Sequence, residues 1–309
     1  MAMRGDGSKE YPFEITSCEE LQYAMLHGNS GSGSTYYRVM KNLDCNDEKL
    51  YEWNVTDGGS TSIFNWEIDF NGKYLTNVNI KEGGYFCNVS RYAAHRVMKN
   101  GAIVNVYENN AKGFSNGIGY ENMAIDVHTD GFDVIPFIFN KSVPAQMFNL
   151  CNIIYDCRGS QLNTLFKQVE TALSSTAETI VKNSKLTING IFNGGAVFMG
   201  GKSKTSVPYP DIAQGCLFEG KIKLDNALNP VLTDVYSISS CIVNIDFEGD
   251  ASIPLRITGR QEETHEKNVY NADKYENWAT EGRVIYADES QITNPDWLTS
   301  NGFFVGKED

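Results

Sequence analysis

The sequence predicts an all-β chain whose strands stack in parallel as a solenoid, and three observations carry that expectation. A nine-residue phrase is written twice, as "CNIIYDCRG" from Cys151 and "CIVNIDFEG" from Cys241. Both place apolar side chains third and fifth, Asp sixth and Gly last. Looser copies recur: "MAIDVHTDG" from Met123, "AIVNVYENN" from Ala102, "WEIDFNG" from Trp66 and "SKLTING" from Ser184. Each copy alternates apolar residues with polar ones and stops at turn chemistry, which is the pattern of a half-buried strand. No amphipathic helix separates successive copies, so a doubly wound βαβ sheet is disfavoured and a stacked repeat is favoured.

The elements follow in order. "FEI" at Phe13 to Ile15 reads as a strand. Thr16 and Ser17, with Glu19 and Glu20 beyond them, read as a helix cap. Leu21, Ala24 and Met25 then fall on one helical face, so a short helix should close the first coil. Residues 1–60 are read as this cap with the first coils, and 61–260 as the solenoid body. Within the body, Val104 and Val106 fill the apolar slots of one copy, and Cys151 and Cys241 are small buried ladder residues. Asn71, Asn189 and Asn193 suit left-handed bends. Leu162, Leu165, Phe166, Val169 and Leu173 have helical spacing and predict a helical insertion near 161–175. Gly200 to Asp211 reads as an excursion loop. Residues 261–309 form a polar excursion over 261–282 and then a docking segment. There Thr293 or Asn294 caps a short helix, Pro295 sits in its first turn, Trp297 and Leu298 dock, and Gly302 ends it.

Composition narrows the function. The 309 residues include 16 Phe and 16 Tyr, and carry a net charge of −13. An acidic surface repels phosphate, so neither nucleic acid nor an anionic membrane is an expected partner. Seven scattered cysteines without a CxxC pair fit neither a zinc site nor a compact disulfide framework, and most are expected reduced and buried. The opening lacks the apolar core of a secretory signal, and no stretch approaches a membrane span. Arg4, Gly5 and Asp6 spell an integrin-binding tripeptide, which is expected to be only an exposed, mobile start.

The opening "GDGSKEYPFEITSCEEL", the Gly-terminated units and the closing "ITNPDWLTSNGFFV" resemble the pectin-lyase-like right-handed parallel β-helix superfamily across nearly the whole chain. The resemblance implies a right-handed coil. For a chain of this size without a signal, it points to phage virion proteins: capsid decoration, head fibres, tail spikes and other appendages. It also implies self-association, as a homotrimer.

Candidate sites are few. The polygalacturonase-like branch would need a Gly-His-Gly and an Arg-Ile-Lys; the chain has Arg256-Ile257-Thr258 and no Gly-His-Gly. Asp126, His128 and Asp130 alternate and would project from one strand face, where they could serve acid-base chemistry. The competing reading is a solvated face opposite Ile125 and Val127. Tyr36, Tyr37, Trp53, Tyr275 and Trp278 are candidate aromatic platforms for sugar rings or protein partners, against the competing reading that most of them are packing residues. No cofactor or metal is expected. The reading is therefore a non-enzymatic structural protein of a phage or phage-like particle, made in the host cytoplasm and displayed on the virion surface. It would bind sister copies, other particle proteins and, through its aromatics, a host-surface glycan. The alternatives are a polysaccharide-degrading β-helix enzyme and an adhesin-like surface module.

Overall fold

The computed structural model describes residues 3–28, 33–46, 53–56, 65–88, 95–108, 113–129, 137–140, 148–162, 166–169, 181–192, 196–200, 213–224, 231–233, 238–248, 256–258, 266–271, 283–301 and 303. Among them the chain is a parallel β-solenoid. One continuous sheet climbs through Phe13–Ile15, Thr35–Val39, Trp66–Asp69, Arg96–Glu108, Gly119–Thr129, Asn152–Leu162, Lys185–Phe192, Leu217–Leu224, Ile242–Glu248, Glu266–Asn271 and Arg283–Ala287. Every neighbouring pair in that climb is parallel. A second, seven-stranded sheet forms another face, from Tyr85–Asn88 to Arg256–Thr258.

The repeated phrase is the rung. Pairing sets Ile125, Ile153, Leu186, Phe218 and Val243 in one inward column, and Val127, Tyr155, Ile188, Gly220 and Ile245 in the next. All the apolar members of both columns are buried. Each such side chain removed from water is worth about 1.5–3 kcal/mol. Under the second sheet, Trp53 stacks on Phe86 at 5.3 Å and Phe86 on Phe114 at 4.6 Å.

Each coil turns into its main strand at a corner, and the corner explains the leading Cys. Asn122, Leu150, Asn183, Gly215 and Ser240 all have positive φ. The next residues are Met123, Cys151, Ser184, Cys216 and Cys241, all buried. The small Cys and Ser side chains among them bond to the coil below. The Cys151 thiol donates to the Tyr120 carbonyl at 3.3 Å, Cys216 to Val181 at 3.6 Å and Cys241 to Ala213 at 3.6 Å. Ser184 Oγ accepts from the Cys151 N–H at 3.1 Å. Asn side chains bridge the same corners outside: Asn122 Nδ2 donates to Asn100 Oδ1, and Asn100 Nδ2 to Asp69 Oδ1, both at 3.2 Å.

The cap forms as read. Ser17 caps the helix Cys18–Leu26 and accepts from Glu20 N, while Glu20 reaches back to Thr16 N at 2.6 Å. Leu21, Ala24 and Met25 are buried under it. At the other end, Asn294 caps Pro295–Ser300, and Leu298 packs with Ile242, Ala287, Ile292 and Phe303 beside Trp297. Gly302 lies outside the described residues.

Several expectations need correction. Residues Asn152–Leu162 and Phe166–Val169 are strands, not part of a helix near 161–175; the second pairs with Phe137–Asn140. Their spacing fits both structures over so short a run, and the hydrogen-bonding template of the preceding coil decides. Residues 163–165 and 170–175 lie outside the described set, as does most of the loop expected over 200–211. The polar stretch 261–282 contains the rung Glu266–Asn271, which pairs with Ile242 and Val243. At Asn105 (φ 53°) the ladder bulges, so Ile103 rather than Val104 points inward beside Val106. Asn71 does take a left-handed bend, but Asn189 does not; its carboxamide accepts from Lys221 N at 3.0 Å. Asn193 is not described.

The cysteines divide. Cys87, Cys151, Cys157, Cys216 and Cys241 are buried thiols, but Cys18 and Cys45 form a disulfide. It ties the cap helix to the first coils across a 27-residue separation that no short motif signals.

Two stability experiments follow from this geometry. A Cβ on Gly220 would lie 1.8 Å from the Ile188 carbonyl oxygen at a φ of +122°, whereas Gly72 at +70° has open space around it. Thermal unfolding should show Gly220→Ala losing more than about 4 kcal/mol, and Gly72→Ala only about 1–2 kcal/mol. Replacing Cys18 and Cys45 together by Ala should cost about 3.5 kcal/mol by loop-closure entropy, read from denaturant midpoints.

Candidate functional site

The strand Gly119–Thr129 buries Ile125 and Val127 and turns Asp126 and His128 outward. Alternation therefore places those two predicted residues together. Asp130 lies outside the described residues. The structure adds two groups from neighbouring coils. Pairing puts Tyr107 and Asp156 on either side of His128 in one outward column. His128 Nε2 lies 3.4 Å from Asp126 Oδ2, and Nδ1 lies 3.3 Å from Asp156 Oδ2. The Tyr107 ring stacks on the imidazole with centroids 5.5 Å apart, and its outer side is exposed. Ladder irregularities border the group, one between Ile103 and Val106 and one after Asp156. Bulges of this kind re-aim side chains on a sheet.

Chemically, a protonated His128 can donate one N–H to each carboxylate, which clamps two coils through charge-assisted bonds. Both ring nitrogens face carboxylates of the chain itself. The same use of charge recurs along this face, where Lys99 pairs with Glu67 and Lys185 with Glu219, the latter at 3.0 Å. Among the described residues, no three His, Cys, Asp or Glu side chains are placed to hold a metal ion.

Asp156 joins the group through the register of the repeat. It is the sixth residue of "CNIIYDCRG", the position that His128 occupies in "MAIDVHTDG".

The aromatic candidates divide by burial. Trp53 is 1% exposed, and its indole N–H donates to the Phe86 carbonyl at 2.7 Å, so it is core rather than platform. Tyr37 is 3% exposed, and its hydroxyl donates to the His27 carbonyl beyond the cap helix at 2.6 Å. An aromatic side chain serves core and interface equally well, and for these two the packing reading holds. Tyr36 is half-buried. Tyr275 and Trp278 are outside the described residues. Among the described residues, the exposed large apolar side chains on the coils include Met40, Tyr74, Tyr107, Leu150 and Ile154.

One buried group was missed. Glu108 occupies an inward column with Ile80, Thr129 and Cys157, and accepts a hydrogen bond from the Tyr155 hydroxyl. Burial pushes its carboxyl up to about 8, although hydrogen bonds from Tyr155 and Thr129 pull the other way. Burial likewise raises Tyr155 well above the ordinary tyrosine range. The neutral acid fits an apolar coil where a carboxylate would be costly.

No family model matches this chain, and no curated protein matches it. Among solved structures, the crystal structure of a "putative immunoglobulin A1 protease" from Bacteroides ovatus aligns over 96% of this chain and 89% of its own. The identity is 14% and the TM-score 0.42, and nothing about this chain's activity is drawn from it.

The inward Glu108 generates a pH dependence. Its folded-state pKa lies above the unfolded value of 4.5, so the folded chain holds more protons between that value and about 8. Its contribution to stability is fully present below pH 4.5 and is lost as pH rises through about 8. Unfolding midpoints of Glu108→Gln should lack this decline and, relative to wild type, gain most at alkaline pH. An unchanged pH profile would show that Glu108 does not titrate in this window.

Proposed function

We propose that this chain is a non-enzymatic structural or attachment rod, of the kind a phage or phage-like particle displays as a decoration, head-fibre or tail-appendage protein. One observation carries the reading: three sets of outward charges on the described coils are engaged with partners along the stack. His128 bridges Asp126 to Asp156, Glu67 pairs with Lys99, and Glu219 with Lys185. Individually such pairs are worth under about 1 kcal/mol, but in a column they hold coil to coil. That arrangement serves stiffness more directly than turnover. The resemblance of the opening and closing segments to phage β-helix proteins supports the particle setting and self-association as a trimer.

A second reading has its own support. Exposed Tyr107 lies beside a histidine and two carboxylates, a combination able to stack on a sugar ring and exchange protons with it. This favours a polysaccharide-cleaving enzyme. The Cys18–Cys45 disulfide supports the third, an adhesin-like module in an oxidising compartment.

Size-exclusion chromatography with light scattering separates these readings. Bacterial surface polysaccharides incubated with the protein should keep their chain length, and the protein should elute with the mass of three chains. Shortened polysaccharide, abolished by Asp126→Asn, would establish the enzyme instead. Intact chains that co-elute with the protein would assign it an attachment role.

A further inference from the structure

The Arg4-Gly5-Asp6 tripeptide has a defined, hydrogen-bonded shape. The Arg4 carbonyl accepts from Glu14 N at 2.8 Å, and the N–H groups of Asp6 and Gly7 donate to the Tyr11 carbonyl at 3.0 and 3.1 Å. Met3, just before the turn, packs against the core, and so does Phe13 beyond it. The three residues are therefore held at both ends as a tight turn on the flank of the first strand. All three are exposed.

The Gly is required by the turn itself. Its φ is +101°, and a Cβ there would lie 2.2 Å from the Pro12 carbonyl oxygen. The turn thus presents a guanidinium and a carboxylate from either side of a residue without a side chain. Ser8 holds the Asp6 carboxyl below its usual range, chiefly through a hydrogen bond from its hydroxyl, and the Ser8 N–H donates to Oδ1 at 2.9 Å. The group stays anionic and oriented.

We propose that this turn is a docking element for a receptor that binds a carboxylate through a divalent cation and a guanidinium through an acidic pocket, the chemistry of RGD-recognising integrins. A turn held in shape before binding loses less conformational entropy on docking than a free tripeptide. The idea does not depend on the particle reading; it concerns only what the N-terminal flank can grip.

The test is direct binding of the full chain to a purified fibronectin-receptor integrin ectodomain in manganese, by surface plasmon resonance. The expected result is saturable binding, abolished by EDTA, with Asp6→Glu and Arg4→Ala each weakening it at least about tenfold. Both substitutions are on exposed side chains, and matching unfolding midpoints would show the fold intact. Wild-type protein that fails to bind up to about 50 µM would overturn the proposal. So would binding that survives EDTA or is equal in Asp6→Glu.

Discussion

Everything in this molecule depends on each coil returning the chain to the same place, in register, above the coil before. Parallel strands exchange hydrogen bonds only with neighbours, so a coil that drifts by one residue would send its apolar side chains to the solvent face. The corner residues prevent that drift. At Asn122, Leu150, Asn183, Gly215 and Ser240 the backbone takes positive φ, and the following residue turns inward. Asn and Gly tolerate that bend well; Ser240 and Leu150 adopt it at a cost, and Leu150 does so while exposed, which marks how strongly the stack dictates the corner. Small thiols and hydroxyls then bond carbonyls at the turns, so few polar groups are buried unmet.

A stack must also end. At the first coil the solution is a helix laid over the apolar opening, with the Trp66 indole donating to the Met25 carbonyl at 3.1 Å and the disulfide drawing Cys18 to Cys45. Beyond the last rung the tail folds back, and Leu298 and Phe303 pack on Ile242 in the outward column of the sheet. The cap helix closes an open apolar face, while the tail buries an apolar patch on the flank.

The inward columns admit departures only where chemistry compensates. Glu108 is tolerated because it is neutral and bonded to Tyr155, and Gly220 because its neighbour's carbonyl leaves no room for more. Outside, the columns are permissive, and His128 with Asp126, Asp156 and Tyr107 shows what register can assemble from unremarkable strand residues. Half of that group was legible: alternation pairs Asp126 with His128 on one face. Asp156 and Tyr107 come from other coils, and naming them requires knowing the register that aligns the repeats. That Trp53 and Tyr37 are core rather than platform was undecided in the sequence for the same reason, since burial belongs to the whole stack.

The sequence by itself determined the strand alternation, the left-handed bend at Asn71, the capped helix after Ser17 and the tail helix after Asn294, because these are local matters of side-chain period and backbone preference. Only the tertiary structure decided that Phe166–Val169 is a strand, that Glu266–Asn271 is a rung, that Cys18 finds Cys45, and which outward residues meet His128. Those outcomes rest on pairing between segments distant along the chain, and no local pattern encodes a partner that only the preceding coil supplies.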